Sequence, residues 1–158
     1  MEPLATLTAR HAQDGRLDWI GLRPARYAPL LTPDQVTITE TGLSGDHARP
    51  GKRAVTLIQA EHLPVIAALT GCDVTPEMLR RNLVISGLNL AAMRGRPLAI
   101  GPAILRITGP CAPCSRMEAA LGPGGYTAMR GHGGWCAEVL AQGDITLGDP
   151  VAPAPSLC

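Results

Sequence analysis

A segment with two cysteines carries the clearest chemical signal in this chain of 158 residues. Residues 109–118 read Gly-Pro-Cys-Ala-Pro-Cys-Ser-Arg-Met-Glu, so a proline stands directly before each thiol. The prolines stiffen the turn and hold both thiols in a defined geometry. If Cys114 begins a helix, the helix dipole and nearby Arg116 favour its thiolate form. A thiolate attacks sulfur electrophiles or binds a soft metal, which makes Cys114 a candidate catalytic residue and metal ligand.

Three interpretations of the pair Cys111 and Cys114 are open from the spacing alone. A redox dithiol of the thioredoxin type belongs to a βαβ context that this sequence lacks. A zinc site needs four ligands, and the sequence has no second Cys-x-x-Cys and no paired histidines to complete one. The third interpretation is two thiols that only pack in a turn between a strand and a helix.

Two further segments combine tight turns or element junctions with polar side chains. In residues 42–47, Gly45 lets the backbone turn sharply, and Asp46 and His47 follow it. The alternative is an ordinary hairpin turn in which Asp46 bonds its own backbone. Arg80-Arg81-Asn82 lies between a predicted short helix and the following strand. Its side-chain hydrogen-bond donors suit a phosphate or carboxylate. The alternative there is a solvated helix end.

A glycine-rich segment is the fourth candidate. Residues 124–135 contain five glycines together with Arg130 and His132. This composition predicts a flexible, polar loop that closes over a ligand. The alternative is a long surface loop without a role.

The elements that must position these residues are short. Strands are predicted at residues 4–9, 17–22, 36–39, 54–58, 83–86, 103–108, 136–140 and 144–147, the last two flanking a tight connection at 141–143. Helices are predicted over 60–69, 76–81 and 115–121. Many short strands with Gly and Pro turns favour a mainly β, α+β domain that resembles a barrel. We expect one domain over residues 1–151 and a frayed tail over 152–158.

Composition and charge exclude several classes of protein. The formal net charge is +1 and no block of like charge exists, so neither a nucleic-acid nor a membrane partner is expected. No apolar run approaches the ~20 residues of a membrane span, and the N-terminus does not have the layout of a signal peptide. An odd count of five cysteines argues against a disulfide framework. These features predict a soluble protein of the reducing cytoplasm.

Taken in order, the segments resemble the MOSC domain, named for the C-terminal domain of molybdenum cofactor sulfurase. The likeness runs from Trp19 to Val151. The matching segments are Gly42–His47, Arg53–Ile58, Arg80–Gly87, Leu98–Gly101, Pro113-Cys114 and Gly143–Val151. The resemblance implies a mostly antiparallel β-barrel with a few short helices, of the MOSC and pyruvate-kinase barrel type.

The resemblance also implies binding of molybdenum cofactor, a pterin dithiolene that carries a phosphate. Cys114 would ligate molybdenum, as in reductases of N-hydroxylated compounds, or carry sulfur as a persulfide. For Cys111 two roles stay open: it resolves such a persulfide by forming a disulfide, or it only packs. Arg80 and Asn82 would contact the pterin phosphate. The expected pocket wall is completed by Gly45, Asp46, His47, Arg53, Arg130 and His132.

A domain of this kind would need a separate protein as its donor of electrons or sulfur. Two alternatives to an enzyme stay open: a non-catalytic module that binds and delivers the cofactor, and a metal-free protein that transfers sulfur through its thiol.

Overall fold

Seven strands close into a barrel in the computed structural model, which describes residues 1–112 and 115–155. The strands, in chain order, are β1 (Gly15–Ile20), β2 (Gln35–Thr39), β3 (Gly42–Leu43), β4 (Val55–Gln59), β5 (Leu83–Ser86), β6 (Pro97–Ile100), β7 (Ala103–Pro110), β8 (Trp135–Ala141), β9 (Gly143–Thr146) and β10 (Pro150–Pro153). Around the barrel they follow the order β1-β10-β6-β7-β8-β4-β5, and β5 pairs with β1 to close it. A smaller sheet has the order β3-β2-β9.

One neighbouring pair in the barrel, β4 with β5, is parallel, and the other pairs are antiparallel. Parallel neighbours need a crossover connection. Here the crossover contains the helices α2 (His62–Thr70) and α3 (Pro76–Leu79). The remaining helices are α1 (Leu4–Thr8), α4 (Ser115–Leu121) and α5 (Gly125–Met129), with a 3₁₀ turn at Leu90–Met93. None of the described helices is long and apolar enough to cross a bilayer.

The aliphatic side chains divide into two hydrophobic clusters. Leu57 and Leu83 belong to the cluster that fills the barrel, whereas Ile58 and Val84 belong to a second cluster with the helices. Successive residues of a strand point to opposite faces, so β4 and β5 are buried on both sides. This explains why apolar residues dominate these strands and do not simply alternate with polar ones. The second cluster includes Ile66, Leu79, Met117, Leu121 and Met129, which join α2, α3, α4 and α5 to the barrel wall.

The predicted fold class is confirmed, since the molecule is a mostly antiparallel barrel with few short helices. The predicted bounds at Leu83–Ser86 and Ser115–Leu121 match those of β5 and α4.

The strand predicted at residues 4–9 is wrong, because this segment forms α1. The backbone N–H groups of Thr6 and Leu7 donate to the carbonyl of Pro3, and the Thr8 hydroxyl donates to Leu4. No residue of α1 is buried. The alternation of apolar and polar residues there therefore does not reflect a buried strand face, and local hydrogen bonds decide the conformation.

The second helix of the crossover also ends earlier than predicted. It stops at Leu79 because Arg80 adopts the left-handed conformation, with φ of 54°. A non-glycine residue pays for this conformation, so surrounding contacts must hold Arg80 in it.

The glycine-rich segment is not the flexible loop that its composition predicts. Residues Gly125–Met129 form α5, whose Met129 is fully buried. The Glu118 carboxylate accepts hydrogen bonds from the backbone N–H of Gly124, at 3.1 Å, and of Tyr126, at 3.0 Å. These contacts fold the turn between α4 and α5.

The tight connection predicted at residues 141–143 is present, since β8 ends at Ala141 and β9 begins at Gly143. The two strands belong to different sheets, because β9 pairs with β2 in the smaller sheet. The C-terminal tail differs from prediction. The strand β10 includes Ala152 and Pro153, which pair with β6. The segment expected to fray therefore begins inside a barrel strand.

Two glycines of the glycine-rich segment 124–135 give a matched test of backbone packing. Gly131 (φ 81°) and Gly134 (φ 96°) both have positive φ, but a Cβ on Gly134 would overlap the carbonyl oxygen of Leu57, whereas a Cβ on Gly131 would meet nothing within 4 Å. We expect Gly131→Ala to lower the free energy of unfolding by about 1 kcal/mol through backbone strain, and Gly134→Ala by about 3 kcal/mol through strain plus displacement of β4. Urea denaturation of both variants measures the difference, and equal midpoints would contradict this account.

Candidate functional site

A buried ion pair fixes the wall of the site. The Asp46 side chain is 1% exposed, and its carboxylate accepts hydrogen bonds from Arg23 Nε at 3.1 Å and Nη2 at 3.0 Å. The backbone N–H groups of Arg23 and Ala48 also donate to it, at 2.7 and 3.1 Å. Burial alone would raise the pKa of Asp46, but the hydrogen bonds and charge of Arg23 outweigh it, and the pKa lies below its ordinary value.

Asn82 completes this network from inside the barrel wall. Its side chain is fully buried, and its amide N–H groups donate to Gly21 O at 3.0 Å and to Asp46 Oδ1 at 3.1 Å. Its Oδ1 accepts from the backbone N–H and the hydroxyl of Thr56, at 3.0 and 3.2 Å. Both amide donors are therefore used within the protein, which corrects the expected contact of Asn82 with a phosphate. Asn82 instead positions Asp46, and through it Arg23.

Beside this network lies a cavity of about 710 Å³, here called the thiol pocket. Its described lining contains cationic side chains and no carboxylate. The polar and sulfur-containing residues that line it are Arg23, His47, Arg49, Lys52, Arg53, Thr56, Cys111 and Cys136. The concentration of positive charge favours an anion.

The two thiols of this pocket influence each other's ionisation. The neighbouring Cys136 thiol favours the thiolate of Cys111, and the positive charges of Arg81, Arg23 and Arg53 act in the same direction. Burial opposes them, yet together they lower the pKa of Cys111 to about 6. The Cys136 pKa is raised by the neighbouring Cys111 thiolate and by burial. The thiolate of the pair therefore forms on Cys111 in preference to Cys136.

A second cavity, of about 340 Å³, adjoins the first and is here called the arginine pocket. Arg23 and His47 line both cavities. The other polar lining residues of the arginine pocket are Arg26, Tyr27, Arg80, Arg81, Ser115 and Arg116. The Arg116 guanidinium lies 4.4 Å from the centre of the Tyr27 ring, which is the distance of a cation–π contact.

Arg80 is held in the arginine pocket by backbone carbonyls. Its Nη1 donates to Ala28 O at 2.6 Å and its Nη2 to Ala25 O at 3.3 Å. These bonds account for its left-handed backbone. Burial and the charges of Arg116 and Arg23 lower the pKa of Arg80.

Arg81 is the more deeply buried of the two adjacent arginines, at 7% exposure. Its Nε donates to Gly133 O at 2.7 Å and its Nη1 to Leu79 O at 3.0 Å. Among the residues that the structure describes, its buried Nη2 has no hydrogen-bond partner. A buried cationic N–H without an acceptor is costly, so an anion in this pocket would satisfy it.

The other predicted site residues lie in different places. Gly45 occupies an exposed turn with φ of 90° and lines neither pocket. Arg130 is exposed and lines a third cavity, of about 490 Å³, which also contacts Cys111. His132 lines neither the thiol pocket nor the arginine pocket, and its ring packs edge-on against His62 with 5.4 Å between ring centres. Cys114, the residue on which the prediction depended most, lies outside the described residues together with Pro113.

Sequence reasoning missed several residues that the fold brings together. Arg49 and Lys52 stand close to the predicted Arg53, and together they form a basic cluster around Gly51 that was visible in the sequence. Arg23 and Cys136 stand in no motif, and only the tertiary structure places them beside Cys111.

The fold and the site together define the class of this protein. It is a small barrel with adjoining cationic pockets, one of which is lined by thiols. The model of the MOSC domain family matches residues 26–152, which is most of the chain. The chain belongs to the MOSC domain family, which is associated with molybdenum cofactor. Among curated proteins, none matches the sequence.

Solved structures share the fold. The YuaD protein from Bacillus subtilis is 17% identical with a TM-score of 0.77, over 88% of this chain and 94% of that protein. The YiiM protein from Escherichia coli is 22% identical with a TM-score of 0.69, over 90% and 71%. The YiiM protein from Geobacillus stearothermophilus is 20% identical with a TM-score of 0.69, over 89% and 75%.

The lowered pKa of Cys111 predicts a pH profile for its alkylation. The rate of Cys111 alkylation by iodoacetamide should rise with a midpoint near pH 6, and Cys136→Ala should move the midpoint upward because the effect of the neighbouring Cys136 thiol is lost. Mass spectrometry of the modified peptides over a pH series measures both profiles. Cys72→Ala is the matched control, since Cys72 bonds Thr70 away from the thiol pocket. An unchanged midpoint in Cys136→Ala would contradict the assignment.

The buried carboxylate predicts how stability depends on pH. Because its folded-state pKa lies below the ordinary value of 3.8, Asp46 contributes fully above that value, and its contribution is lost as pH falls through the folded-state pKa. We expect Asp46→Asn to lower the free energy of unfolding by about 3 kcal/mol at pH 7, with the difference shrinking below pH ~4. Urea unfolding across pH measures it. Asp18→Asn, which removes a partner of exposed Arg16, should cost under about 1 kcal/mol.

Proposed function

We propose that this chain binds molybdenum cofactor across the arginine pocket and the thiol pocket. One observation carries the proposal: the two cationic cavities share Arg23 and His47, and the cysteine-containing segment borders both. Cys111 lines the thiol pocket and Ser115 lines the arginine pocket. The ligand of the family has an anionic phosphate at one end and sulfur at the other, which is the same division of chemistry.

The residues present fit such a ligand. The buried Nη2 of Arg81 lacks an acceptor, and a phosphate supplies several. Arg80 is held beside it by the carbonyls of Ala25 and Ala28, so its charge is already oriented. Arg80 and Arg81 would therefore hold the phosphate, while Asn82 acts from behind by fixing Asp46 and Arg23.

The sulfur-bearing end would lie toward the cysteines. When bound, the cofactor supplies a redox-active, thiophilic metal. We assign Cys114 as its protein ligand or as a persulfide carrier, on the family resemblance and on its place in sequence between Ala112 and Ser115, which border the two pockets. His47, Arg53 and Arg23 would hold anionic groups at the shared wall.

The activity that we propose is reduction of N-hydroxylated compounds, with electrons from a separate donor protein in the cytoplasm, where thiols stay reduced. Turnover of a hydroxylamine with an artificial electron donor distinguishes this activity from a role as cofactor carrier. A protein that retains the cofactor but does not turn over would be a carrier.

Metal and pterin analysis tests the site. The protein is expressed with molybdate, and molybdenum and pterin are measured per chain. Arg81→Gln should retain less pterin, since one charged hydrogen bond to phosphate is worth about 10- to 100-fold in affinity. Cys114→Ser should lose molybdenum while retaining pterin. Arg96→Gln is the matched control, because Arg96 bonds the exposed carbonyl of Thr8 and lines neither pocket.

Each result addresses one part of the proposal. Absence of pterin from the wild type expressed under these conditions would contradict cofactor binding as a whole. Equal pterin in Arg81→Gln and Arg96→Gln would contradict the phosphate assignment. Equal molybdenum in Cys114→Ser would contradict the ligand assignment alone. Circular dichroism of each variant verifies that the barrel is folded.

A further inference from the structure

We propose that Cys111 and Cys136 are a second sulfur centre, a thiol pair that anionic low-molecular-weight disulfides enter the thiol pocket to oxidise. The pair consists of residues that the family resemblance does not single out as the reactive thiol. The proposal is independent of Cys114 and of molybdenum cofactor, so the failure of either leaves the other standing.

The strand register brings the two thiols together. In the ladder of β7 and β8, Gly109 pairs with Cys136 and Pro110 with Trp135. The Cys111 N–H then donates to Gly134 O at 2.8 Å, which extends the ladder by one further residue. Residues two apart in a strand share a face, so Cys111 lies on the same face as Cys136 and diagonal to it. Both line the thiol pocket, and each thiol shifts the pKa of the other.

Accessibility and position in the cavities explain why this pair would react in preference to Cys72. Cys111 is partly exposed and borders two cavities, so a small molecule can reach it. Cys136 is 7% exposed and lines the thiol pocket beside it. Cys72 makes a hydrogen bond, at 3.1 Å, but its partner is the Thr70 hydroxyl and it lines none of the three cavities described above. The thiolate character of Cys111 described above supports its role as the attacking sulfur.

The charge of the pocket selects the oxidant. Arg23, Arg49, Lys52 and Arg53 line the same cavity as the thiols, and its described lining has no carboxylate. A cleft lined by one sign of charge concentrates the opposite sign and speeds its association by about ten-fold or more. A disulfide that carries carboxylates, such as oxidised glutathione, fits this field, and a cationic disulfide is repelled.

The reaction proceeds by two thiol–disulfide exchanges. The Cys111 thiolate attacks one sulfur of the external disulfide, the S–S bond breaks, and one thiolate leaves. This removes the negative charge beside Cys136, whose S–H proton passes to solvent or to the departing thiolate. The Cys136 thiolate then attacks the Cys111 sulfur and expels the second external thiolate. The protein pair loses two electrons and the one proton of Cys136, and the external disulfide gains the two electrons and leaves as two thiolates, which are protonated by the Cys136 proton and by solvent.

The experiment compares three disulfides on the full chain: anionic oxidised glutathione, neutral hydroxyethyl disulfide and cationic cystamine. Mass spectrometry of digested protein follows the loss of free Cys111 and maps its partner. We expect oxidation by glutathione disulfide to be at least about ten-fold faster than by cystamine at low salt, with the ratio falling toward one at high salt. The product in wild type should be a bond between Cys111 and Cys136.

Variants separate the two exchange steps. In Cys136→Ala the first exchange should occur and the second should not, so glutathione stays attached to Cys111. Cys136→Ser serves the same purpose if the alanine variant does not fold. Cys72→Ala should behave as wild type. Three results would overturn the proposal: a bond from Cys111 to Cys114 instead, a stable glutathione adduct in wild type, or equal rates with the anionic and cationic reagents.

Discussion

The Asp46 carboxylate is the point on which the site depends. Four parts of the chain meet at it or at its amide partner: the segment after β1 through Arg23, the turn before β4 through Ala48, β4 through Thr56, and the start of β5 through Asn82. A buried charge of this kind is tolerated only when every lone pair is engaged. Because the partners come from distant positions, satisfying one carboxylate fixes the relative placement of the barrel and its surface loops.

The electrostatic effect of this arrangement reaches beyond the ion pair. Asp46 forms an ion pair with the Arg23 guanidinium, and Arg23 lines the wall shared by both pockets. The neighbouring cations then act on anions and on the Cys111 thiol without a competing carboxylate in the described lining. A strong attraction for anions needs both rigid positioning and unbalanced charge, because solvent screens cations on mobile surface side chains.

Much of the fold was predictable because barrel strands carry their own signals. Apolar residues dominate β4 and β5, and Pro76-Glu77 marks the start of α3. The failures have a common physical cause. The strand predicted at 4–9 and the loop predicted at 124–135 took other conformations through specific hydrogen bonds, from Thr8 and to Glu118, which no periodicity reports. For the site, adjacency in sequence was mistaken for shared orientation: Arg80 and Asn82 are two residues apart, but one lines a pocket and the other is buried behind it.

The position of β10 has a consequence for how the barrel closes during folding. Residues 150–153 form the strand between β1 and β6, so the last strand in chain order separates two that are synthesised earlier. Until it arrives, the edges of β1 and β6 present unpaired backbone groups to any passing strand. Closure of the barrel thus waits for β10, and a change that weakens this one strand would expose two adhesive edges at once.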